Sequence, residues 1–171
     1  MSSIEINAFE VPPEEDEAFL AAWDSAGRDA FTLHRALRPD VARRFVEVGP
    51  TDADAGYENV REDGDPDGAG GVILINPFEV LAEHDVRFLA GWQAVRDLFA
   101  NQRGYLGTRL HRSLKTTDYR FVNNARWSSP LMFQRATQKP EFQEVAAAMP
   151  FPSHPALYEV IRSAARTGGG A

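Results

Sequence analysis

Asparagines placed on strands are the residues in this sequence whose type and spacing suggest chemistry. Asparagine is disfavoured in strands, and a buried carboxamide needs hydrogen-bond partners, yet it recurs in predicted strands at Asn7, Asn76, Asn123 and Asn124. Most buried polar side chains satisfy backbone groups, so a single asparagine indicates structure before function. Because side chains alternate along a strand, one predicted face carries Phe121, Asn123, Ala125 and Trp127. Amide donors beside a tryptophan are suited to stabilising an oxyanion that develops on an aromatic ligand.

Other familiar sites are missing from the sequence. There is no phosphate-binding loop, dinucleotide fingerprint or serine-hydrolase elbow, and the four histidines lack metal-ligand spacing. The absence of cysteine excludes disulfides and cysteine nucleophiles. A formal charge of -7 argues against nucleic acid and anionic membranes as partners. The sequence shows neither a membrane span nor a signal pattern, which predicts a cytoplasmic protein.

An internal repeat shows which elements position these residues. Residues 6–23 and 75–92 align without gaps and are identical at 11 of 18 positions, and two shorter blocks follow in the same order. The first copy has lost eight residues after its helix start, and it then runs into the acidic, glycine-rich stretch TDADAGYENVREDGDPDGAGG. We therefore predict a truncated, degenerate β-α-β-β copy over residues 1–50, a linker over 51–71 and a flexible tail over 166–171.

The second copy is predicted to be complete over residues 72–165. A strand over 72–78 precedes a helix over 83–101, whose apolar residues recur at helical spacing. A hairpin, a second helix opening at Ser129-Pro130 and interrupted at Pro140, and a strand over 156–162 follow. This β-α-β-β-α-β order predicts an α+β, ferredoxin-like fold with an antiparallel sheet and helices on one face.

Three stretches of the second copy resemble the antibiotic biosynthesis monooxygenase family of dimeric α/β-barrels. They are Ile75-Asn-Pro-Phe78, Gly104-Tyr-Leu-Gly-Thr-Arg-Leu-His111 and Phe121-Val-Asn-Asn-Ala-Arg-Trp127. An asparagine four residues before tryptophan is typical of the quinone-forming members. The resemblance implies an enzyme that oxidises a phenolic, anthrone-like polycyclic polyketide to a quinone with O2, without metal, flavin or other cofactor.

The resemblance also implies a set of site residues. Asn76, Asn123 and Trp127 would be catalytic, and His111 is the one obvious candidate for a general base in this region. Its equivalent, His34, persists in the first copy, which favours a structural role for both. Residues expected to bind the substrate are Phe78, Trp92, Arg109, Phe121, Arg126 and Phe133. The chain departs from some members at Phe133 and at alanines 146–148, where those members carry a tyrosine and an arginine.

Two alternatives and one open question accompany this hypothesis. A polyketide cyclase of the same superfamily would depend on His111 more than on Trp127, and a non-catalytic barrel would bind an aromatic polyketide without turnover. Haem degradation is disfavoured because no histidine lies between Ser113 and Ser153. In the first copy Glu47 replaces Asn123, so we expect one site per chain. The sequence leaves open whether the barrel closes within one chain, as a pseudo-dimer, or in a homodimer.

Overall fold

The computed structural model describes residues 3–52 and 55–164, so the predicted tail over 166–171 lies outside the described residues. The strands are β1 (Ser3–Phe9), β2 (Thr32–Ala36), β3 (Phe45–Thr51), β4 (Tyr57–Gly64), β5 (Val72–Phe78), β6 (Tyr105–Ser113), β7 (Phe121–Trp127) and β8 (Ala156–Arg162). The helices are α1 (Asp16–Ser25), α2 (Asp85–Phe99), α3 (Pro130–Thr137) and α4 (Pro140–Ala147). In the described part of the chain, no helix is both long enough and apolar enough to cross a membrane.

The eight strands form one closed barrel in the order β1-β3-β2-β8-β5-β7-β6-β4, and every pairing is antiparallel. The barrel consists of two four-stranded sheets, β4-β1-β3-β2 and β8-β5-β7-β6, each with the strand order of a ferredoxin-like unit. They join edge to edge where β2 pairs with β8 and β4 pairs with β6. The barrel therefore closes within one chain, which answers the question that the sequence leaves open.

Equivalent contacts recur in the two halves, as a duplication requires. Phe19 stacks on Phe45 at 4.3 Å and 22°, and Phe88 stacks on Phe121 at 4.2 Å and 20°. The first long helix of each half also begins with an aspartate that binds the arginine directly before the third strand of that half, giving the ion pairs Asp16–Arg44 and Asp85–Arg120. The fold class predicted from the sequence, including its antiparallel sheet, is confirmed.

The second copy has the predicted elements. The bounds of β5 and β8 coincide with the prediction, and α2 is two residues shorter at each end. Ser129 caps α3 by accepting a hydrogen bond from the backbone N–H of Met132 at 3.3 Å, and Pro130 occupies the first helical turn. Pro140 ends the first helical segment and opens α4, because a proline is tolerated only in the first turn of a helix.

The prediction of a linker over 51–71 is wrong, because this segment contains β4. Its acidic side chains pair with arginines of the second half: Glu58 binds Arg112 at 2.7 Å, and Glu62 binds Arg109 at 3.1 Å. Composition suggested disorder because the compensating charges lie about fifty residues further along the chain. The first copy thus has a fourth strand, while the described residues between β3 and β5 include no counterpart of α3 and α4.

Candidate active site

A cavity of about 370 Å³ lies on the helix side of the second sheet, between β5, β6 and β7 and the helices α2, α3 and α4. Its wall is mostly aromatic and aliphatic, and its volume falls in the range of small-molecule sites. Five of the ten predicted site residues line it: Asn76, Phe78, Trp92, Asn123 and Phe133. The cavity therefore places the two predicted asparagines in an apolar enclosure.

The carboxamide of Asn123 has one possible orientation. Its Oδ1 accepts hydrogen bonds from Nε1 of Trp92 at 3.0 Å and from the hydroxyl of Thr108 at 2.9 Å. An indole N–H can only donate, so the atom facing Trp92 must be the amide oxygen. The NH2 group donates to no acceptor among the described residues, and Asn123 lines the cavity. Two donors on the oxygen thus leave an N–H donor available to a bound ligand.

Asn76 adds a second amide beside the first. It lies directly opposite Asn123 in the β5–β7 register, which brings cross-strand Cβ atoms to about 5 Å. Its Oδ1 accepts a hydrogen bond from the backbone N–H of His154 at 3.2 Å, so its NH2 group is also unengaged among the described residues. Two neighbouring N–H donors in an apolar cavity can stabilise negative charge on one ligand oxygen.

Trp127 lies behind the cavity wall. Its side chain is fully buried and makes edge-on contacts with the rings of Phe99, Tyr105 and Phe133, all three of which line the cavity. The indole Nε1–H has no hydrogen-bond partner among the described residues. A buried donor without an acceptor is uncommon and costly in a folded protein. Trp127 therefore fixes the aromatic wall and keeps one donor unused.

Besides Trp127, four predicted site residues do not line the cavity: Phe121, Arg109, Arg126 and His111. Phe121 is buried under Phe88. Arg109 binds Glu62 and Asp67, and Arg126 donates to the backbone carbonyls of Asp65 and Ala69. Both arginines are thus held by the first half and by the β4–β5 connection, which sequence reasoning could not place.

His111 lies on the other face of β6, inside the barrel, where it is opposite Val122 of β7. It is 2% exposed, and burial together with the nearby Arg109 guanidinium lowers its pKa to about 4. His34 of the first half is also buried, which lowers its pKa, and its Nδ1 lies 3.0 Å from the carbonyl oxygen of Val46. A neutral imidazole on this face cannot contact a ligand in the cavity described above.

In the first half, a glutamate, Glu47, occupies the position equivalent to Asn123. Glu47 stands opposite Asn7 as Asn123 stands opposite Asn76. Its buried carboxylate accepts from Nδ2 of Asn7 at 3.0 Å, from Nε1 of Trp23 at 2.8 Å and from Arg28 at 2.6 Å. The amide and indole donors that correspond to those of the second half are therefore engaged by an internal anion.

A polar group at the cavity was missed by the sequence analysis. Tyr105 and Arg96 line the cavity, and both donate to the same carboxylate oxygen of Asp63, at 3.0 Å and 2.7 Å. Asp63 lies on β4, in the segment predicted to be a linker. The described residues include no cluster of three or more histidine, cysteine, aspartate or glutamate residues suited to holding a metal ion.

Part of the chain, including the strands and helices around the cavity, is similar to a known protein family. Residues 71–148 match the model of the family described as antibiotic biosynthesis monooxygenase. No significant match was found among curated protein sequences.

Solved structures share the architecture. An anthrone oxidase-like protein superposes with a TM-score of 0.70 over 99% of this chain and 95% of its own, at 10% identity. The haem-degrading enzyme LmHde of Listeria monocytogenes gives 0.59, with 91% and 97% covered and 17% identity. SnoaB of Streptomyces nogalater, a cofactor-independent oxygenase, gives 0.50 at 27% identity over 56% of this chain and 97% of its own. The first two similarities show the fold alone.

Proposed function

We propose that this antibiotic biosynthesis monooxygenase domain uses O2, without a cofactor, to oxidise a phenolic, anthrone-like polycyclic polyketide to a quinone. The observation that carries the proposal is the fixed orientation of Asn123 at the aromatic cavity, where Trp92 and Thr108 occupy its oxygen and its NH2 group has no acceptor among the described residues. The 27% identity to SnoaB, a cofactor-independent oxygenase, supports the same reaction class.

The reaction needs little from the protein because the substrate supplies the electrons. Loss of a phenolic proton gives an electron-rich anion that can reduce O2, and a carbon–oxygen bond then forms at the activated carbon. The resulting peroxide eliminates water and leaves a carbonyl, so one oxygen atom enters the quinone and the other becomes water. The amides of Asn76 and Asn123 would stabilise the oxyanion, and the apolar wall would exclude bulk water.

The test measures O2 consumption and quinone formation by the full-length protein on a panel of anthrones and naphthacenones. Removing one well-placed oxyanion donor costs about 10²–10³ in rate, so Asn123→Ala and Asn76→Ala should each lose activity on that scale. Trp127→Phe replaces the indole that packs behind Phe99, Tyr105 and Phe133, so it should also lose activity by loosening the cavity wall.

Asn7→Ala is the matched control, because it removes the equivalent amide from the half whose position is filled by Glu47. It should retain the wild-type rate at equal stability. If Asn7→Ala is as damaging as Asn76→Ala, the site does not belong to the second half. If the asparagine and tryptophan variants are fully active while His111→Ala is inactive, the protein is better described as a cyclase.

A further inference from the structure

The proposed oxidation requires an acceptor for the phenolic proton, and the cavity offers few. Among the described residues that line it, only Arg96 and Tyr105 have titratable side chains. An arginine remains protonated under all ordinary conditions and cannot accept a proton. His111, the candidate base from the sequence, lies on the barrel face of β6 instead. Among the described lining residues, Tyr105 is thus the one whose hydroxyl is hydrogen-bonded to a carboxylate, which can take up a relayed proton.

Tyr105 is connected to a carboxylate that reaches solvent. Its hydroxyl donates to Oδ2 of Asp63 at 3.0 Å, and the side chain of Asp63 is 25% exposed. Burial, followed by the adjacent Asp63 carboxylate, raises the pKa of Tyr105 well above its ordinary value. The tyrosine therefore holds its proton at neutral pH and presents the lone pairs of its oxygen as an acceptor.

The strand register fixes this carboxylate on the cavity side of the sheet. Asp63 lies opposite Thr108 in the β4–β6 pairing, and opposite residues of an antiparallel pair share a face. Thr108 in turn donates to Asn123, so polar side chains continue from the two amides across β6 to β4. Arg96, one turn of α2 beyond Trp92, donates to the same carboxylate oxygen and holds it in place.

We propose, building on the function proposed above, that Tyr105 and Asp63 form the proton relay that activates the substrate. The substrate hydroxyl gives its proton to the oxygen of Tyr105 as the tyrosine gives its own proton to Asp63. The electron pair of the broken O–H bond stays on the substrate as the phenolate that reacts with O2. Asp63 then releases the proton to solvent, and both side chains return to their starting states.

This assignment makes the site a product of both halves of the chain. Tyr105 is a catalytic residue of the second half, and the acceptor behind it comes from the strand that ends the first half. In the first half, Glu47 occupies the position equivalent to Asn123, so this half has no such site of its own. It would still be required for the reaction in the second half, because it supplies Asp63.

The experiment compares Tyr105→Phe and Asp63→Asn with the wild-type protein over a range of pH, using an anthrone that the wild type oxidises. General-base catalysis contributes about 10²–10⁴ in rate, so each variant should lose activity on that scale at pH 7. Above the pKa of the substrate phenol, the substrate enters as its anion and the relay is no longer needed. The rate of both variants should then approach that of the wild type.

The controls remove the same kinds of group, a tyrosine hydroxyl and a carboxylate, from the barrel face of β4. Tyr57→Phe deletes a hydroxyl that donates to the backbone carbonyl of Tyr119, and Glu62→Gln deletes a carboxylate that binds Arg109. Both should keep the wild-type rate and pH profile. An unchanged rate in the relay variants, or an equal loss at every pH, would overturn the relay alone. A wild-type protein inert towards the whole panel would instead overturn the proposed function on which the relay rests.

Discussion

His111 illustrates at the residue scale how a titratable group can belong to the barrel and not to the catalytic cavity. Its Nδ1 is buried without a hydrogen-bond partner among the described residues. The charged groups that influence it are Arg109, which lowers its pKa, and Asp67 and Glu62, which oppose that effect. Burial is the largest contribution, so the folded protein holds this imidazole neutral.

The pH dependence of stability should report this burial. The unfolded chain protonates His111 near its ordinary pKa of about 6.5, whereas the folded protein does so near 4. The free energy of unfolding should therefore be constant above about pH 6.5 and fall as the pH decreases towards 4, by about 3 kcal/mol at most from this residue. His34 acts in the same direction.

Urea denaturation of the wild type and of His111→Gln at pH 7 and pH 4.5 measures this contribution. The variant should show a smaller loss of stability between the two values, with its rate of quinone formation unchanged. If the stability of the variant falls as steeply with decreasing pH as that of the wild type, His111 does not contribute to this pH dependence.

The candidate site could be predicted from the sequence only as far as local geometry extends. Strand alternation brings Asn123 to the helix face of the sheet, and the internal repeat identifies Asn76 as the counterpart of Asn7. The hydrogen bond from Trp92 depends on how α2 packs on β7, which no local pattern encodes. Asp63 was missed because its partners, Arg96 and Tyr105, are distant in sequence and because its own segment has the composition of a linker.

At the scale of elements, β4 shows how composition can mislead. Its sequence YENVREDG is mostly polar, and an isolated strand of this kind has little apolar surface to bury. It pairs along most of its length with β6, whose Arg109 and Arg112 neutralise its acidic residues. The strand is therefore specified by complementary charge, in contrast to β5, which the apolar run Val72–Ile75 makes recognisable.

The connection from β4 to β5 depends on Arg126. This residue is 7% exposed, and its guanidinium donates to the backbone carbonyl oxygens of Asp65 and Ala69 at 2.8 and 3.0 Å. Arg126→Gln should lower the free energy of unfolding by about 1–3 kcal/mol, because the two carbonyl oxygens lose their charged donor. Urea denaturation checks this, and oxidation of the substrate panel should be unaffected.

Arg109→Gln is the matched comparison. This arginine also binds β4 and the β4–β5 connection, but its partners are the exposed carboxylates of Glu62 and Asp67. Partly exposed ion pairs contribute about 1 kcal/mol or less, so this change should cost less stability than Arg126→Gln. Equal losses in the two variants would mean that the connection is not held by the carbonyl contacts.

At the scale of the whole molecule, each half supplies the strand that covers an edge of the other. The fourth strand of the first half, β4, covers β6, and the fourth strand of the second half, β8, covers β2. Uncovered edges expose unpaired backbone groups and make small sheets marginal. We therefore expect that neither half of the barrel folds as a complete unit on its own.

A fragment of residues 1–50 should accordingly lack a cooperative thermal transition, because it has neither β4 nor β8 to complete its sheet. A fragment of residues 72–165 should collapse, with β6 and β8 each missing a partner strand. Circular dichroism during heating tests both, with the full chain as the reference. A cooperative transition for the 1–50 fragment would show that the first half folds without the second.

The covalent link between the halves has two consequences: barrel closure no longer depends on protein concentration, and the two halves can acquire different substitutions. A barrel made from two separate copies opens when the copies dissociate on dilution, whereas the closure of this barrel within one chain does not depend on protein concentration. In a pair of identical chains every substitution occurs twice, once on each side of the symmetry axis. Here Glu47 and Asn123 occupy equivalent positions in one barrel. Joining the halves thus allowed an ion pair on one side and an unengaged amide on the other, a combination closed to any symmetric dimer.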